Sequence, residues 1–194
     1  LCLYGDEVKG GDQPETKEVR DLDTLSLLKT ANDIKTDKAY PSGRKIVDAP
    51  EFFIGGADTP REINNNFDGI NLIKKINVGV EFFQTQYAFD ENILRNYMLK
   101  LKQLGITEKA YFIIGLGVIK SAKSARWMNE NLFGINIPEN IINRIENSSN
   151  EKLEGIKICT ELIEKYKLID GVSGVHLMGY KQEQDIASVI ANFK

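Results

Sequence analysis

The chain has 194 residues, of which 42% are hydrophobic, 9% aromatic and 27% charged, with a formal net charge of -3 at pH 7. One domain accounts for that length, since domains run to roughly 100–200 residues, and the apolar fraction argues against intrinsic disorder. With 25 basic against 28 acidic residues there is no basic field to wrap nucleic acid, and no apolar run approaches the ~20 residues of a membrane helix.

The chain opens on Leu1, in an apolar run that already reads as a strand, so the expectation is a segment of something longer. A basic n-region and a small-residue cleavage site are both missing, which argues against a signal peptide. Cys2 and Cys159 match no metal spacing and no disulfide framework. The expected setting is cytoplasmic, with reduced thiols.

In chain order, Leu1-Cys2-Leu3-Tyr4 is the first apolar run, stopped by Gly5-Asp6. After a polar, glycine-rich stretch, Asp21 is placed to cap a helix carrying Leu22, Leu25, Leu27 and Leu28. Phe52-Phe53-Ile54 is the second run, ended by Gly55-Gly56, and Ile70, Leu72, Ile73 and Ile76 mark the next helix. The third run, Phe82 to Gln86, leads to a helix over Asp90–Leu104. Tyr111–Ile114 is the fourth run, followed by a helix from near Ser121 and a short helix introduced by Asn136-Ile137-Pro138. A helix over Glu151–Tyr166, a fifth run at Val175–Met178 and a last helix complete the pattern.

Apolar strands separated by helices predict a parallel α/β sheet in one domain. Pattern alone leaves open whether it is a doubly wound sheet or part of an eight-fold barrel, for which 194 residues fall short of the typical ~250.

The chemistry must sit at the carboxyl ends of such strands. No glycine-rich phosphate loop is present: Gly115-Leu116-Gly117 lacks the third glycine. His176, the only histidine, lies in an apolar run and reads first as structural. Asp6, Asp58 and Gln86 each follow or end a run and are predicted to share one rim. Gln84 and Gln86 share a face by the two-residue strand period. An amide in an aromatic strand needs partners, and its paired donor and acceptor suit a pterin or flavin ring. Asp68, Asn71 and Lys75 fall on one helical stripe, with Lys74 beside it; the group reads as a solvated face or as a diphosphate site.

The order of these pieces resembles the methylenetetrahydrofolate reductase family. Leu3-Tyr4-Gly5-Asp6 with its following loop, Phe53 to Pro60, and Asn71 to Lys75 followed by Val78 to Gln86 and Phe89-Asp90 carry the likeness. Ser121 to Glu130 and Gly174 to Met178 extend it nearly end to end. The resemblance implies a flavin-dependent (β/α)8 TIM-type barrel reducing 5,10-methylenetetrahydrofolate to 5-methyltetrahydrofolate, this chain supplying strands four to eight. It implies FAD as cofactor, a folate substrate, a nicotinamide or other electron donor, and a homo-oligomer or partner subunit as an option. Asp6 would stabilise a cationic iminium as the catalytic carboxylate. Gln86 and Ser124 would contact substrate, and Tyr4, Gly5, Asp6, Gly55, Thr59, Asp68, Asn71, Lys74 and Lys75 would contact the flavin nucleotide.

The family's general-acid glutamate, on its first strand, has no counterpart here. Tyr4 stands where some members have arginine, Gly55 and Thr59 where they have tyrosine and histidine, and Val118 where proline is frequent. A rival reading is a non-catalytic folate- or flavin-binding subunit completed by a partner chain. A phosphate-binding barrel lyase would need a strand-end lysine, and none is evident.

Overall fold

The computed structural model describes residues 1–3, 15–17 and 21–193. Tyr4, Gly5 and Asp6, three of the expected site residues, lie outside them. Among the described residues twelve elements follow one another: β1 (Cys2–Leu3), α1 (Thr24–Asp37), β2 (Gly55–Asp58), α2 (Ile70–Asn77), β3 (Phe82–Tyr87), α3 (Glu91–Gln103), β4 (Tyr111–Leu116), α4 (Ala122–Asn131), α5 (Glu139–Glu146), α6 (Glu151–Tyr166), β5 (Val172–Leu177) and α7 (Glu183–Ala191).

The five strands form one parallel sheet in the order β1-β2-β3-β4-β5. A doubly wound sheet reverses its order at a switch point, and this one does not. With crossovers in the usual right-handed sense, the helices that connect strands in this order fall on one side of the sheet. The arrangement is that of an arc of a (β/α)8 barrel.

Side-chain burial follows that geometry. Phe83, Thr85, Phe112 and Ile114 are buried, while Phe82, Gln84, Gln86 and Ile113, of opposite parity, are only partly covered. Phe83 stacks on Phe112 at 5.1 Å, and the core against the helices holds Leu94, Tyr97, Met98, Leu101, Ile158 and Tyr166. The other face is open. Tyr111 there is 61% exposed.

Two expectations are corrected. The second strand is Gly55–Asp58, not Phe52–Ile54. Any Cβ at Gly55 would collide with the ring of Phe82, its register partner, so glycine is what lets this strand pair. Phe53 instead lies half exposed before the strand, stacked on Phe82 at 5.2 Å. The cap of α1 is Asp23, not Asp21: Asp23 Oδ1 accepts from the Ser26 amide at 2.8 Å, and Ser26 Oγ accepts from the Asp23 amide at 2.9 Å. A reciprocal cap satisfies two amides that Asp21 cannot reach.

Candidate functional site

Parallel βα units bring their working residues to the carboxyl ends of the strands. Asp58 ends β2, in register with Thr85 of β3, and Gln86 lies one residue further along that neighbouring strand. The expectation that Asp58 and Gln86 share a rim therefore holds for these two.

Beyond Asp58 the chain turns into α2. Gly69 caps that helix with a left-handed φ of 68° and leaves no side chain over its first turn. Asp68 Oδ1 accepts from the Ile70 amide at 3.0 Å, so the residue is at once a helix-end partner and part of the cavity beside it. That cavity has a volume of about 280 Å³, and its polar lining includes Asp58, Thr59, Arg61, Asp68, Asn71 and Lys75. The helical stripe of Asp68, Asn71 and Lys75 thus meets the end of β2. Lys74 does not border this cavity; at roughly 100° per residue it turns away to solvent.

Lys75 Nζ donates to the carbonyl of Ala57 at 2.6 Å. Burial holds its ammonium below the usual lysine range, against the pull of the Asp58 charge. The Asp58 carboxyl is raised above the usual range by burial, although the Tyr97 hydroxyl, the Thr59 amide, Lys75 and Arg61 all favour its ionised form. The Arg61 guanidinium lies 5.4 Å from the centre of the Phe67 ring, and Phe67 packs edge-on to Tyr97 at 5.6 Å.

Gln86 is half buried, and its Oε1 accepts from the Tyr87 amide at 3.0 Å. The β3–β4 register shifts between Gln84 and Tyr87, where Thr85 Oγ1 accepts from the Gly115 amide at 2.9 Å and donates to the Gln86 carbonyl. Such an irregularity re-aims side chains at a sheet rim. Gln84 shares the open face with Gln86, and its Nε2 meets Nδ1 of His176 at 2.7 Å.

Two expected residues lie apart from this group. Gly55 sits at the amino end of β2, away from the rim, beneath the Phe82 ring. Ser124 is engaged at the start of α4: its Oγ donates to the Ser121 carbonyl at 2.8 Å and accepts from the Ser121 amide at 3.1 Å. Two residues of the site were not foreseen. Arg61 follows Pro60 in the strand-end loop, a position that could have flagged it; Tyr97 carries the same helical spacing as its core neighbours. His176 was singled out, but its partner was not.

A parallel sheet in chain order, with a cation-bearing cavity at its carboxyl rim, places the chain in the (β/α)-barrel class of folds. The chain belongs to the methylenetetrahydrofolate reductase family, whose model, described as methylenetetrahydrofolate reductase, matches residues 1–194. Among solved structures it is similar to an uncharacterized Clostridium thermocellum protein that binds two copies of 5-methyl-5,6,7,8-tetrahydrofolic acid, with a TM-score of 0.55 and 20% identity. The likeness covers 88% of this chain and 57% of that one, so the chain spans little more than half of its neighbour's length. No curated protein matches it. Among the described residues, no helix is long and apolar enough to cross a membrane.

Proposed function

We propose that this protein takes part in the flavin-dependent reduction of 5,10-methylenetetrahydrofolate to 5-methyltetrahydrofolate, with residues 1–194 forming strands four to eight of the barrel. The observation that carries the reading is the joining of Asn71, Lys75 and Arg61 around one cavity at the strand ends, in a chain of this family.

The cavity's chemistry suits FAD at its diphosphate. Lys75, Arg61 and the Asn71 amide converge there beside the Asp58 and Asp68 carboxyls, and the two cations and the amide favour phosphate oxygens. When bound, the flavin supplies the hydride chemistry. Lys75, already oriented by its bond to Ala57, holds negative charge at the rim with Arg61 and Asn71. The raised pKa of Asp58 limits the repulsion a carboxylate would present to that charge. Gln86 orients a pterin ring through its amide, and Asp6 favours the cationic iminium by charge. Electrons come from a nicotinamide or another donor, and the proposed setting is the cytoplasm, as part of one-carbon metabolism leading to methionine.

A second reading is folate or flavin binding without turnover by this chain. It is supported by the similar Clostridium thermocellum protein, which binds two copies of 5-methyl-5,6,7,8-tetrahydrofolic acid. An anaerobic titration of the FAD-loaded protein with 5-methyltetrahydrofolate separates the two. Bleaching of the flavin band supports the redox reading, and folate binding without bleaching moves the protein to the second. Failure to bind both FAD and folate overturns both.

A further inference from the structure

The open face of the sheet carries a second polar feature besides Gln86. Residue by residue, β3, β4 and β5 are in register through Gln84↔Ile113↔Gly174, and two residues further on β4 and β5 through Gly115↔His176. Paired residues of parallel strands point to the same face, so Gln84, Gly115 and His176 all belong to the open side. Gln84 reaches across β4, and its Nε2 lies 2.7 Å from Nδ1 of His176 on β5, 92 residues away.

That bond decides the proton on the ring. An amide N–H donating to Nδ1 requires Nδ1 to be unprotonated, so the neutral imidazole carries its hydrogen on Nε2. Burial lowers the His176 pKa, which favours the same neutral form. Among the described residues Nε2 makes no hydrogen bond, yet no polar side-chain atom there is both fully buried and unpartnered. The Nε2–H group is therefore open to solvent on the partly covered face. The Gln86 Nε2 is in the same position, since only its Oε1 is engaged. A heteroaromatic lactam such as a pterin presents ring and carbonyl acceptors in one plane, and two neutral donors on one face suit it.

We propose that His176 is a specificity-determining residue of this ligand site: Gln84, reaching across β4, holds its imidazole so that Nε2–H donates to an acceptor on the folate ring, alongside the amide of Gln86. The inference rests on the folate reading above and adds to it a donor on the fifth strand. A substrate ring without an acceptor at that point leaves the Nε2–H unpaired once water is displaced, which is how a buried donor discriminates between ligands.

Two substitutions separate this role from a structural one. His176→Asn places an amide oxygen where Nδ1 was and so keeps the acceptor for Gln84, but it removes the outer donor. His176→Gln reaches to the position of Nε2 with an N–H and gives up the link to Gln84. Binding of 5-methyltetrahydrofolate is measured by calorimetry on the wild-type protein and both variants, alongside melting temperature and FAD occupancy. His176→Asn is expected to weaken folate binding by about tenfold, on the order of 1.4 kcal/mol, with melting temperature little changed. His176→Gln is expected to retain more of the folate affinity while losing more stability. Flavin occupancy stays normal in both, because Asn71 and Lys75 are untouched. Undiminished folate affinity in His176→Asn overturns the inference alone, as does affinity that merely tracks melting temperature in both variants. A wild-type protein that binds no folate overturns the folate reading and this inference with it.

Discussion

Tyr97, fully buried on α3, donates its hydroxyl to Asp58 at the end of β2, with its oxygen 2.9 and 3.1 Å from the two carboxylate oxygens. Burial pushes the phenol well above the usual tyrosine range, and the neighbouring Asp58 charge pushes it the same way. The phenol therefore remains a donor at any working pH. With the Thr59 amide, it orients the Asp58 carboxyl at the rim of the cavity.

Stability should carry the mark of Asp58. Its folded-state pKa lies above the unfolded value near 3.8, so the folded state favours the protonated carboxyl. That contribution is complete below the unfolded pKa and is lost as pH rises through the folded one. Asp58→Asn keeps an acceptor for Tyr97 and cannot ionise. Its melting temperature should therefore gain on the wild type as pH rises from about 4 to 7. A gap that instead widens toward acid contradicts the raised pKa.

Roles within the site should divide between the helix and the strand. Lys75→Ala removes a partly buried cation from the cavity, and FAD affinity should fall by about tenfold or more. Gln86→Glu replaces the amide donor with negative charge and should cost folate binding on the order of 1–3 kcal/mol, with FAD content near normal. Fluorescence titration of each ligand against each variant checks the division. An empty flavin site in Gln86→Glu with intact folate affinity reverses the assignment.

Gly55 should prove essential to packing. Gly55→Ala drives a Cβ into the Phe82 ring, and denaturant unfolding should show a loss of about 1–3 kcal/mol. Phe82→Leu in the same chain should return part of that loss, because the two residues are in contact and their effects are not additive. Strict additivity places the damage elsewhere.

Ser124→Ala should act on α4. The hydroxyl completes the reciprocal cap with Ser121, and its loss should cost about 1 kcal/mol in denaturant unfolding. Folate affinity is expected within about twofold of wild type, since cap bonds already engage the hydroxyl. A loss of affinity at unchanged stability places Ser124 in the ligand site instead.

What the sequence could determine was local. The alternation of Phe82 to Gln86 announced a strand with two amides on one face, and helical spacing joined Asp68, Asn71 and Lys75 before any fold was known. Asp90 was placed at the head of α3, where its carboxylate accepts from the Asn92 and Ile93 amides. These signals span a few residues, so propensity and periodicity suffice to read them. Gly55-Gly56-Ala57-Asp58 gave no such signal, because glycine has low strand propensity; the chain is a strand there through its pairing with β1 and β3, and Gly55 leaves room for the Phe82 ring. Periodicity was equally silent on barrel arc against doubly wound sheet, which differ only in the order of strands. Tyr97 meets Asp58 across 39 residues, and Gln84 meets His176 across 92. Such contacts follow from register between strands, a property of the assembled sheet that no window of sequence contains.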